Sequence, residues 1–176
     1  MAKKWYGNVT NRIEEGRNYN EDKQIHVGDD ITKYYWSDRT CYYVTDVIDQ
    51  KHIKIKKYHI CADHSKEGGM GHQNWVYFKT RKEENDYLKK YFPDREFEEN
   101  PKENSDIELV YRYGKWKEVS TYTDLNGVNG FGVPFKNFLF TKNDIKKLEK
   151  GKPVYKYNDF GNISFGVRDY YYDYSF

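Results

Sequence analysis

The sequence predicts a single β-rich α+β domain over residues 1–176, built as an SH3-like small barrel or a strongly bent antiparallel sheet. Two short helices and a Tyr-rich tail complete it. Three observations lead there. Runs of β-branched and aromatic residues recur with tight polar turns between them. Two segments carry helix-start signals. The chain also holds 19 Tyr, 10 Phe and 4 Trp, whose rings supply the apolar surface that scarce aliphatic residues do not.

In chain order, a short strand is expected around residues 5–9, followed by a polar turn near Glu15 and Gly16. "GDD" at 28–30 is turn chemistry, and residues 31–36 form a strand. "SDRT" reverses the chain into a second strand at 40–48, and "DQK" turns it again. In "HIKIKKYHI" (52–60) Ile53 and Ile55 share one face while Lys54 and Lys56 share the other. The alternation slips after Lys57, which predicts a bulge near Lys56 and Lys57 that returns Tyr58 and Ile60 to the core. A fourth strand at 75–79 makes Trp75 a core residue together with Val44, Ile53 and Ile55.

Thr80 and Glu83 form the S/T-x-x-E box that opens a helix bearing Tyr87, Leu88, Tyr91 and Phe92 on one face, with Pro93 as its stop. Residues 93–106 ("PDREFEENPKENSD") carry a local charge of -4 and predict a mobile acidic loop; the other residues then carry +6 of the chain's net +2. Strands at 107–113 and 116–123 should make a hairpin turned at "GK". Residues 124–140 are Gly-rich and irregular. A second helix at 141–150 has Thr141 as cap, Asp144 in its first turn and Gly151 as stop. "PVYKY" and "ISFGV", joined by "NDFGN", predict a last hairpin running into the tail "RDYYYDYSF". Those tail rings must either wrap the domain or meet a partner.

Several function classes lose support at this level. Charged residues reach 33% and mean hydropathy is -1.10, yet the tyrosines argue for a folded chain. Cys41 and Cys61 form no CxxC pair, which fits a reduced, cytoplasmic setting and inert strand thiols. No apolar run is long enough for a membrane, and "MAKKWYGN" lacks a signal-peptide core. The Asp29–Asp30 pair and Asp38 sit at opposite ends of one strand, roughly 20 Å apart, too far for a two-metal site. His59, Cys61, Asp63, His64 and His72 resemble a metal cluster, but H-x-C-x2-H is not a recognised zinc spacing. "EGGMG" lacks the GK[ST] ending of a phosphate loop. No cofactor, no metal and no catalytic residue is expected.

What remains is binding. The loop carrying His64, Lys66, His72, Gln73, Asn74 and Trp75, with Arg168, Asp169, Tyr170 and Tyr172 of the tail, brings polar donors beside large rings. In the "WSDR" turn, Asp38 is expected to cap the turn while Arg39 reaches outward to a partner. An alternative is a basic, aromatic surface in which Lys33, Lys51, Lys54, Lys56 and Lys57 track a phosphate backbone. Those lysines would equally serve to keep a sheet edge soluble.

The segments "VGDDITKYYWSDRTCYYVTDVIDQKHIKIKKYHICADH", "GMGHQNWVYFKT" and "ISFGVRDYYYDYSF" resemble an uncharacterised family of small phage and prophage proteins of Gram-positive bacteria. The shared features are the "WSDR" turn and the closing "YYYD-x-x-F". The resemblance implies a protein working in the cytoplasm of an infected or lysogenic host. Small phage accessory proteins of this kind often bind and block a host defence component. The expected function is therefore a non-enzymatic, anti-CRISPR-like inhibitor of a host defence protein or its nucleic-acid complex. A nucleic-acid or nucleotide-binding module is the alternative, and a metal-dependent enzyme at residues 59–72 ranks last.

Overall fold

The computed structural model describes residues 24–66, 73–127 and 133–172. The strand expected near residues 5–9, His72 and the last four residues of the tail lie outside them. The expected meander is present: β1 (Asp30–Tyr34), β2 (Arg39–Asp49) and β3 (His52–Lys57) pair antiparallel in sequence order. The irregularity predicted near Lys56 and Lys57 is found elsewhere. It interrupts the β2–β3 ladder on the β2 side, between Val44 and Asp46 and again between Val47 and Asp49. β3 itself runs unbroken to Lys57.

Tyr58 is a pivot rather than a bulge. Its N–H donates to the Cys41 carbonyl at 3.1 Å, and the chain then leaves the first sheet. β4 (His59–Ala62) pairs only with β5 (Trp75–Phe78), forming a separate two-stranded sheet. The chain rejoins the main sheet through β6 (Asp106–Arg112) beside β3, followed by β7 (Lys115–Tyr122) and β8 (Val154–Asp159). The predicted final hairpin does not form. β8 pairs with β7 at one edge, whereas β9 (Asn162–Phe165) pairs with β1 at the other, in the order β8-β7-β6-β3-β2-β1-β9.

This topology forces curvature. Seven flat strands would span about 29 Å, at about 4.8 Å per neighbour. The link from Asp159 to Asn162 covers three Cα steps, about 11 Å at most. The sheet must therefore curl until its two edges meet at that corner. Ring contacts agree: Trp116 on β7 lies 5.6 Å from Phe165 on β9, although the strands are five places apart. No ladder joins β8 to β9 among the described residues, so the curled sheet is open and is not a closed barrel.

The concave face holds the core: Ile31, Tyr42, Val44, Ile53, Ile55, Leu109, Phe160 and Phe165 are buried there with Ile25. Val44, Ile53 and Ile55 are core as expected, while Trp75 is half-buried on the small sheet. Phe160, in the two-residue link, closes the corner with its ring 5.5 Å from that of Tyr42.

Both predicted helices are present with complete capping boxes: α1 (Arg81–Lys89) on Thr80 and Glu83, α2 (Lys142–Glu149) on Thr141 and Asp144. α1 ends at Lys89, before Pro93 is reached, and turns its buried Glu84 and Leu88 toward the small sheet. α2 ends in a Schellman arrangement: Gly151, at φ +67, donates to the Leu148 carbonyl, and Lys152 donates to that of Lys147. Phe140, Leu148 and Val154 form a second small core beneath it. The acidic segment is anchored rather than a free loop. The Glu103 carboxylate accepts the Arg81 amide at the α1 N-terminus and meets His59 Nε2 at 3.0 Å, while Asn104 donates to the Lys57 carbonyl.

Candidate functional site

The loop and tail residues picked out by the sequence do converge, and they converge on each other. The tail crosses from the main sheet to the small one. Thr32 Oγ1 donates to the Val167 carbonyl at 2.7 Å and accepts the Asp169 amide at 3.1 Å. The Arg39 guanidinium meets the Asp169 carboxylate at 2.5 Å, so Arg39 is turned inward and does not reach outward as expected. Arg39 and Tyr171 also exchange backbone hydrogen bonds. On the small sheet, the Tyr77 hydroxyl accepts the Tyr170 amide, and Trp75 packs edge-on against Tyr170 at 4.7 Å. Gln73 donates to the Tyr172 carbonyl and accepts from both Tyr172 N–H and Trp75 Nε1. Arg168 lies over the rings of Tyr58 and Tyr77, with its Nε 3.8 Å from Asp30.

This is a seam between two sheets. Burial pushes the Cys41 thiol beneath it up to about 12, in keeping with an inert strand thiol. His64 and Lys66 stand apart from the seam. The His64 ring packs against Tyr87, Tyr91 and Phe92 of the α1 region, and Lys66 pairs with Asp63 at 3.3 Å. The Asn74 carbonyl accepts the Asp63 amide. Of the metal-like cluster, His59 is buried between Glu84 and Glu103 rather than beside His64. Among the described residues, no group of three or more His, Cys, Asp or Glu is placed to hold a metal ion.

The five lysines of the alternative surface do not form one stripe. Lys54 and Lys56 on β3 are interleaved with acids, at 3.6 Å from Asp46 and 3.9 Å from Asp106, and His52 meets Glu108 at 2.6 Å. Lys51 and Lys57 are exposed at the two ends of that strand. Lys33 lies elsewhere, over the Phe160 and Tyr35 rings at 4.0 and 5.0 Å.

A different region stands out on geometry alone. At the β1–β2 turn, closed by the Tyr35 amide on the Asp38 carbonyl, Trp36 is 100% exposed. At the β6–β7 turn, Tyr113 is 97% exposed and sits at φ 54, followed by Gly114 at φ 76. Both central residues of that two-residue turn are left-handed, the pattern for which Asn-Gly is the usual choice. A tyrosine there is conformationally unfavourable and buries nothing. A groove of about 520 Å³ joins the β1–β2 turn, Lys115 after the β6–β7 turn, and Asp159, Gly161 and Asn162 at the β8–β9 corner. Lys115 and Lys117 both stand 3.3 Å from Asp159, whose carboxyl is held down at about 2 by the Gly161 amide and by these two ammonium groups. The sequence did carry a signal for this end. Tight turns ordinarily take Gly, Asn, Asp, Ser or Pro, so the Trp of "WSDR" and the Tyr of "YGK" have no strand face on which to be buried.

Comparison with protein-family models, curated proteins and solved structures finds no match. Among the described residues, no helix is long and apolar enough to cross a membrane.

Proposed function

We propose that this protein is a non-enzymatic binding protein, encoded by a phage or prophage, that engages and inhibits a host defence component in the bacterial cytoplasm in an anti-CRISPR-like manner. The observation that carries the reading is the pair of bare rings, Trp36 and Tyr113, at neighbouring hairpin tips. A fully exposed Trp contributes nothing to the core, and Trp, Tyr and Arg dominate binding hot spots. In this reading the curled sheet serves as small SH3-like barrels do, as a rigid platform whose turns carry the specificity. Gln73, Trp75, Asp169, Tyr170 and Tyr172 are engaged with one another or with Arg39 and Tyr77, which supports placing the contact surface at the hairpin tips.

The test is phage plating on hosts that carry a defined defence system, with the protein supplied in the host. The wild-type protein is expected to raise plating efficiency on at least one defended host, and Trp36→Ala to abolish that gain while its circular dichroism spectrum stays unchanged. A wild-type protein that protects on no defended host overturns the proposal, as does a Trp36→Ala, Tyr113→Ala double variant that protects fully.

A further inference from the structure

We infer that the groove beside Trp36 is a binding site for single-stranded nucleic acid, with a base stacked on the indole and the neighbouring phosphates on lysine. This deepens the proposed function by naming what the exposed end meets, and it rests on that reading only in taking Trp36 as a contact residue.

The argument starts from the composition of the groove wall. Tyr34, Tyr35, Trp36, Lys115, Asp159, Gly161 and Asn162 line it, and no aliphatic side chain does. A groove built for an aliphatic protein anchor would carry aliphatic side chains, whereas this one sets three rings beside a lysine, an aspartate and an amide. Here a flat ring stands beside the Lys115 ammonium, the combination by which single strands are held without a deep pocket.

Charge points the same way. Lys33, Arg112, Lys115 and Lys117 gather at this end against Asp38 and Asp159, leaving +2 when all are ionised. Asp159 bridges two lysines and fixes Lys115 at the groove mouth, with its ammonium still largely in solvent. Arg112 is already stacked over Tyr157 at 4.1 Å, and Lys33 over Phe160 at 4.0 Å. Rings and cations thus lie side by side at this end, the mix of groups that single strands use for stacking and phosphate contact. Asn162 supplies an amide that both donates and accepts, suited to a base edge. A duplex is disfavoured because its bases are already stacked on one another, and Trp36 and Tyr113 present faces only an unpaired base reaches.

The experiment uses the full chain and fluorescently labelled 12-nucleotide probes of one sequence, as single-stranded DNA, single-stranded RNA and DNA duplex, titrated by anisotropy at low and moderate salt. Binding to at least one single strand is expected, tighter than to the duplex. Trp36→Ala should weaken it about tenfold or more, the loss of one stacked base. Lys115→Ala should weaken it and flatten the salt dependence by about one phosphate contact. Lys54→Ala, on the charge-matched β3 face, should change nothing. The DNA and RNA arms identify which strand is the ligand. No single-strand binding, equal affinity for the duplex, or a Trp36→Ala variant that binds as well as wild type each overturns the inference. If Trp36-dependent protection against a defence system persists without oligonucleotide binding, this inference fails while the proposed function stands. Trp36-dependent binding of a single strand without protection on any host does the reverse.

Discussion

The tail seam and the hairpin end are built from the same materials and put to opposite uses. Each combines Tyr and Trp rings, a basic side chain and an aspartate. At the seam every one of these meets another: Trp75 on Tyr170, Arg39 on Asp169, Arg168 over Tyr58 and Tyr77. At the hairpin end the Asp159 carboxylate binds two lysines, and the rings of Trp36 and Tyr113 face solvent. Composition alone therefore does not mark a binding surface. What separates the two regions is whether a second strand of chain lies opposite the rings. The seam has one because the tail crosses from β1 to the small sheet; a tight turn at a sheet's end has none.

The sharpest way to break this contrast is to remove the tail. Truncation after Val167 deletes seven hydrogen bonds that link residues 169–172 to Thr32, Arg39, Gln73 and Tyr77. At about 0.5–1.5 kcal/mol net for each, the loss should reach roughly 4 kcal/mol or more, visible in urea denaturation. A midpoint unchanged by truncation would show the seam to be decoration. Arg39→Ala is the milder version. It leaves the partly buried Asp169 carboxylate without its cation and should lower stability by about 1–2 kcal/mol, less than for a fully buried pair because both groups keep some solvent.

Much of the fold was legible because its signals are local. Alternation in "HIKIK" placed Ile53 and Ile55 inside, and both capping boxes formed where Thr80 and Thr141 announced them. The larger failures are long-range. Nothing within "PVYKYNDFGNISFGV" says that its two strands belong to opposite edges of a curled sheet, because both options need the same short turn residues. Tyr58 is buried as its sequence position suggested, but only the presence of β4 and β5 makes it a pivot between sheets. The inward turn of Arg39 was hidden for a related reason. The charges of Arg39 and Asp169 lie 130 residues apart in sequence, and their mutual neutralisation is invisible until the tail is laid down.

A site belonging to neither region sharpens the comparison through pH. The Asp144 carboxylate is held well below its usual range by Lys156 at 2.7 Å and by the Thr141 amide and hydroxyl. A depressed folded pKa contributes stability that is complete above the unfolded value near 3.8 and is lost as pH falls through the folded one. Asp144→Asn should therefore destabilise the protein at neutral pH, and the gap from wild type should shrink below about pH 4. Denaturant midpoints at neutral pH and near pH 3 check this. A gap that does not narrow would mean that Asp144 acts by packing and not by charge.

At the hairpin end the expected effects on stability are small and one has the opposite sign. Tyr113→Asn places the residue best suited to a left-handed turn before Gly114 and should raise stability, by up to about 1 kcal/mol. If it lowers stability instead, the Tyr113 ring does bury surface and the contrast with the seam weakens.

The smallest effect is predicted for Trp36→Ala, and it is the most informative. Trp is the largest side chain in the chain, and removing it from a core costs about 3–5 kcal/mol. Trp36 is wholly exposed, and the turn that carries it is closed by the backbone from Tyr35 to Asp38, which alanine leaves intact. Its removal should shift the denaturation midpoint by no more than about 0.5 kcal/mol, the range of an ordinary surface substitution. A loss of 2 kcal/mol or more would place the indole against a neighbour and make the hairpin end a second seam. A null effect on stability joined to a lost effect on partner or oligonucleotide binding would separate the two regions cleanly, one holding the fold and the other doing its work.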